Sequence, residues 1–198
     1  MAKLQDNTGD GYGLKIDSKH RAFVKSVSQL EMAAKSFSDE SGYQMFIDPL
    51  TLPDVNTHNL LWFKNTSQTD YFAINKYWLG YNGGSTNHNR VCIFRQFIGA
   101  TTPSANQILS GAGNLLTSSG AIAELLIYQS DGSAGGMTHS STGVQAGAVT
   151  ISQGTKDFDV RGSTILGPGA VILIQVQAEE VGTVSATIEG YFLEPSEK

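Results

Sequence analysis

A single cysteine, Cys92, excludes an intramolecular disulfide, so stability has to come from packing or from assembly. Charge is scarce as well. Asp, Glu, Lys and Arg make up 16% of the chain and leave a formal net charge of −5, with the basic residues scattered rather than gathered into an arm. That distribution lacks the electrostatic footprint of a nucleic-acid binder and argues against a capsid subunit with a genome-binding tail. No apolar run approaches the length of a membrane span, and Met1 to Gly13 holds no apolar segment of the kind a secretory signal needs. The expectation is a chain made in the cytoplasm, with no nucleic-acid partner, no membrane partner and no cleaved signal peptide. Helix signatures are nearly missing too. Only Ser28 to Ser36 carries one, a capping box of Ser28 and Glu31 followed by good helix formers, enough for one short helix.

Turn and strand material is what the chain has in quantity: 22 glycines, with many Ser, Thr and Asn. The clearest pattern is C-terminal. Ala170 to Val176 is a continuous apolar run rich in β-branched residues, and Val181 to Phe192 alternates Thr183, Ser185, Thr187 and Glu189 against Val184, Ala186 and Ile188. Gly167-Pro168-Gly169 suits a tight turn into the first of these strands, and a second turn near Glu179 to Gly182 predicts a hairpin between them. The apolar run belongs inside a sandwich, whereas its alternating partner can turn one face to water or to another subunit.

The remaining strands are read from shorter signals. Met1 to Gly13 is a polar, glycine-rich extended arm, and Leu14 to Asp17 with Ala22 to Val27 forms a short hairpin. Gln44 to Asp48 and Leu60 to Asn65 are strands separated by a loop that Pro49 and Pro53 mark. Tyr71 to Leu79 and Val91 to Ile98 follow, joined by a projecting hairpin tip that contains Asn82-Gly83-Gly84 and Asn87 to Asn89. The stretch Gly99 to Gly120 is too long for an idle loop and reads as a contact surface. Ala121 to Tyr128, Val149 to Ser152 and Phe158 to Arg161 complete the strand set, with Ser130 to Gly147 glycine-rich between them. The sum is an all-β protein: one antiparallel β-sandwich of jelly-roll type spanning residues 14–198, preceded by an arm at 1–13, with at most one short helix.

No motif carries obvious chemistry. Asp6, Asp10 and Asp17 approach calcium-loop spacing, but Gly13 stands where an apolar residue is needed and Asp17 where a Glu is needed, so the segment reads as a polar arm. His20, His58, His88 and His139 read as separate solvated loop residues without zinc-site spacing. Asp157 and Asp159 flank Phe158 and would share one strand face, a solvated face unless it lines a cleft. No nucleophile elbow, phosphate loop or dinucleotide fingerprint occurs, so no enzyme, cofactor or metal is assigned. Asn65-Thr66-Ser67 matches a glycosylation acceptor that goes unused without secretion. Trp62 and Trp78 are expected in the core and Tyr81 outside it, where Tyr81, Asn82, His88 and Arg90 form an exposed contact surface at the tip.

Three stretches carry a resemblance: GDGYGLKIDSKHRAFVKSVSQLE near the N-terminus, LLWFKN at 60–65 with Thr66-Ser67, and the closing LGPGAVILIQVQAEEVGTVSATIEGYF. In layout and texture the sequence resembles the small jelly-roll structural proteins encoded among the virion genes of tailed bacteriophages. The resemblance implies a non-enzymatic cement or decoration protein on the capsid surface, a homotrimer whose arm packs on the major capsid protein, another virion structural protein or a sister subunit. Leu4, Asp6, Asp10 and Tyr12 are the arm residues it assigns to that contact. The alternative is a carbohydrate-binding or host-recognition module of a spike or tail fibre, with a glycan facing the tip and the loop Ser130 to Gly143.

Overall fold

The computed structural model describes residues 41–83, 90–116 and 120–195 of the chain. The expected arm at 1–13, the paired segments at 14–17 and 22–27 and the helix at 28–36 lie outside these residues. Within them the chain forms eleven strands and no α-helix: β1 (Gly42–Thr51), β2 (Thr57–Asn65), β3 (Tyr71–Gly83), β4 (Val91–Ile98), β5 (Gln107–Ser110), β6 (Ala112–Asn114), β7 (Leu125–Ser130), β8 (Val144–Ser152), β9 (Gly154–Leu166), β10 (Val171–Ala178) and β11 (Gly182–Leu193). They form two antiparallel sheets, ordered β6-β1-β11-β3-β9 and β5-β7-β2-β10-β4-β8, packed as a sandwich.

The two C-terminal strands are each central to a sheet. β10 lies between β2 and β4, and β11 between β1 and β3. They are therefore not the hairpin the turn near Glu179 suggested; that turn carries the chain from one sheet to the other. Their sequences explain the separation. The first half of β10 is apolar on both faces, since Ile172 and Ile174, followed by Val176, enter the inter-sheet core while Leu173 packs under loops on the outside, where Gln175 and Gln177 follow it. In β11, Val184, Ala186 and Ile188 are buried in the core, and Thr183, Ser185, Thr187 and Glu189 alternate with them on the other face. Each buried Ile or Val contributes about 1.5–3 kcal/mol of burial free energy.

β1 runs through Pro49, which the sequence suggested as a loop. Asp48 and Pro49 together face Ser185 alone, a bulge that accepts a residue without an N–H. β3 and β4 likewise belong to different sheets and are not the arms of the expected hairpin; β3 extends beyond Leu79 to Gly83, and residues 84–89 of the expected tip lie outside the described residues.

The long segment after β4 holds β5 and β6. β5 pairs with β7 at the edge of the six-stranded sheet, and β6 then pairs with Tyr43 to Met45 at the edge of the other. This strap joins both sheets on one side of the sandwich. Residues 99–106 and 131–143 fold over the outside of the six-stranded sheet, where Trp62, Met137, Ala100 and Leu173 make a second apolar cluster. Gly136 approaches the Asn59 backbone too closely for any Cβ, at φ 67°, which lets Met137 N–H donate to Asn59 O at 3.2 Å and seats Met137 on that cluster.

Candidate functional site

Opposite the strap the two sheets end in β8 and β9, each paired on one side only among the described residues. Between these edges a cleft of about 480 Å³ opens into the core. Its floor is Tyr77, Leu79, Phe94 and Ile174, with Val149 of β8 and Phe158 of β9 as walls. The opening has a local cause. Gly147 stands opposite Gln96 in the β4–β8 ladder, and no atom lies within 4 Å of where its Cβ would be. A bulge between Gln96 and Phe97 adds to the separation by leaving Ala146 without a partner in the ladder.

The polar groups around the cleft are few. Tyr77 Oη donates to Gln96 Oε1 at 3.3 Å, bridging the two sheets, and burial raises the phenol above its ordinary pKa so that it stays neutral. At the rim the exposed Asp157 pairs with Lys76 Nζ at 2.8 Å, and the hydrogen bond and charge of Lys76 hold its carboxyl below the usual range. Lys156 Nζ lies 5.5 Å from the Phe158 ring centroid. The arrangement suits an apolar side chain or ring. Among the described residues no cluster of three His, Cys, Asp or Glu could hold a metal ion.

The expected contact residues are not brought together. Tyr81, expected outside, is buried at 1% exposure and donates through Oη to Glu180 O at 3.0 Å. It follows Tyr77 and Leu79 in the inward row of β3, and the strand continues past the turn-like Asn82-Gly83 pair. Asn82 is exposed on the opposite face, accepting from Gln153 Nε2 at 2.9 Å. Arg90 is exposed immediately before β4, a strand of the other sheet. His88, Leu4, Asp6, Asp10 and Tyr12 lie outside the described residues.

Other expectations need correction. Trp62 is buried, but in the outer cluster, where Nε1 donates to Ala100 O at 3.4 Å. Trp78 is not in the core: it is half-buried on the outer face of the five-stranded sheet, with Lys76 Nζ 4.9 Å from its ring centroid. His58 is no solvated loop residue; it is buried in β2 with Nε2 2.9 Å from Asp54 Oδ1. His139 is half-buried, donates through Nδ1 to Thr101 O at 2.6 Å, and burial lowers its pKa. Asn65 is fully buried with its amide bonded to Asp70 O, Leu166 O and Ser67 N, so the glycosylation acceptor is closed by structure as well.

Sequence reading missed the cleft because its apolar lining, Tyr77, Leu79, Phe94, Val149, Phe158 and Ile174, reads as ordinary core-facing strand residues. The available signal was the uncharged, small-residue run Val144 to Val149, with Gly147 inside it. The chain matches no protein-family model, and no curated protein matches it.

Proposed function

We propose that this chain is a non-enzymatic structural subunit of a bacteriophage particle, a jelly-roll cement or decoration protein that binds the head shell as a homotrimer. Strand order supports the jelly-roll part of this reading. The frame β1-β11-β3-β9 facing β2-β10-β4-β8 is the order that two interlocked Greek keys produce, with β5, β6 and β7 inserted between β4 and β8. Capsid and lectin domains share that plan, so the fold alone does not choose between them.

The observation that carries the structural reading is the side formed by β8 and β9. β8 is nine residues long and holds neither charge nor proline, and it is exposed along most of its length. Chains that work alone guard such an edge with charge, proline, a bulge or a covering segment, and of the first three β8 has only the bulge at Ala146. A subunit that meets a neighbour there has no need to. On this reading attachment to the major capsid protein or another virion protein comes from backbone pairing and apolar contact, and the protein's place is the virion surface.

The carbohydrate-binding reading keeps one observation of its own. Trp78 lies on an outer sheet face beside Thr187 and Asp157, with Ser185, Gly80 and Thr155 in the next row, a setting in which a sugar ring could stack. Quantitative mass spectrometry of purified particles, scaled to the major shell protein, separates the two. Hundreds of copies support a shell-coating protein, a few tens or fewer favour a spike or fibre, and none overturns the virion assignment.

A further inference from the structure

The six-stranded sheet has two ends, and they are unlike. At one end β5, QILS, presents Ile108 at 49% and Leu109 at 66% exposure. At the other, β8 borders the apolar cleft and carries Val144 at 69% exposure. One end offers projecting aliphatic side chains, the other a hollow lined with Leu79, Phe94, Val149 and Phe158.

We infer that β5 of one subunit lies along β8 of the next, seating Ile108 in the cleft between β8 and β9 of a second copy of this chain. The inference rests on the assembly reading above and names its partner. Register supports the placement of the side chain. Ile108 stands opposite Gln129, which stands opposite the core residue Leu61, so Ile108 belongs to the inward row of its sheet. Gly147 and Val149 occupy that same row in β8, opposite Gln96 and the core residue Phe94. A β5–β8 pairing therefore continues one sheet across two subunits and puts Ile108 in the layer that the cleft occupies. Leu109, opposite Tyr128, falls on the outer layer.

The two strands bring no charge of their own to this contact, and the charged groups lining the cleft, Asp157 and Arg95, already have partners in Lys76 and Gln177. QILS and VQAGAVTIS hold no ionisable side chain, so the two edges approach without like-charge repulsion or a buried unpaired charge. A strand also fits better than a free apolar ligand, because it pairs the N–H and C=O groups along β8 that a small molecule would leave unpaired. Because the surfaces at the two ends differ, the contact is head-to-tail, and closing it upon itself generates a ring.

The test uses the full chain and light scattering across a concentration series. Wild type is expected to form a closed oligomer. The double variant Ile108→Asp, Leu109→Asp should weaken association by on the order of tenfold or more, and Gly147→Leu, which fills the cleft, should do the same. Both changes sit at exposed or open positions, and unchanged circular dichroism and melting temperature would establish that each variant folds. Mixing the two should then restore a heterodimer, since each retains the surface the other has lost. A wild-type chain that stays monomeric overturns the inference while leaving particle copy number free to support attachment. Loss of association in Gly147→Leu with the β5 variant unaffected overturns it in favour of a symmetric β8 contact. A drop in the melting temperature of Gly147→Leu with association unchanged overturns it in favour of a segment of the same chain filling the cleft.

Discussion

Asn65 Nδ2 donates to Leu166 O at 3.0 Å across 101 residues of sequence, and the same nitrogen donates to Asp70 O at 2.8 Å. Its Oδ1 accepts from Ser67 N–H, so one buried amide holds the turn after β2 and the end of β9 in register. Asn65→Ala is expected to cost about 3 kcal/mol, the sum of several lost bonds and the backbone groups left without a partner. Urea denaturation measures it; a change below about 1 kcal/mol would remove Asn65 from this role.

Alkaline pH should weaken the fold through two groups. Burial pushes the Cys92 thiol from its ordinary 9.0 up to about 12, and also raises the Tyr77 phenol above its ordinary 10.0. The unfolded chain releases these protons at the ordinary values while the folded chain keeps them. Stability is therefore full below about pH 9 and declines as pH rises from there towards the folded pKa values, by at most about 1.4 kcal/mol per pH unit for each group. Cys92→Val should flatten the decline between about pH 9 and 10, and an unchanged slope would mean that the thiol does not titrate as described. The same protonation predicts a thiol inert to alkylation near neutral pH.

Trp78 and Tyr81 exchange roles relative to their sequence reading, and host-surface polysaccharide can exploit this. Under the structural assignment, titration of wild type gives no saturable binding. If binding is found, Trp78→Ala should abolish it, whereas Tyr81→Phe should leave it intact and cost about 1 kcal/mol of stability through the lost bond to Glu180 O.

Removal of residues 1–13 is expected to leave the sandwich folded, since the strands from Gly42 to Leu193 already enclose the core. Particle occupancy should fall. Equal occupancy of the truncated and full chains, measured on purified particles, would exclude the arm from attachment.

The sandwich was legible where residues repeat with period two. The alternation of β11 and the apolar run of β10 gave the right strands, yet their connection was misread because Glu179 to Gly182 can close a hairpin or cross between sheets equally well. Only the need of each strand for two neighbours decides, and that is a property of the whole sheet. Tyr81 was misplaced because Asn82-Gly83 looks like a turn while β11 supplies ladder partners as far as Gly83. Trp62 and Trp78 illustrate a further limit: size and apolarity predict burial, but not which face of which sheet buries the ring. The cleft was hard to read because its lining is the same inward apolar row that fills the core elsewhere, with only the open space at Gly147 and the neighbouring bulge to set it apart.

The strap of β5 and β6 also gives the sandwich a mechanical polarity. With the two sheets tied on that side, and joined at β8 and β9 only at one end, where Gln153 alone links the two strands, their easiest separation is a jaw movement at the far end of these two edges. Amide protons of β8 and β9 exchange when these edge strands fray from β4 and β3, while those of β10 and β11, hydrogen-bonded on both sides, wait for global unfolding. A neighbour clamped across the jaw would raise the kinetic barrier to opening without changing a single contact in the core.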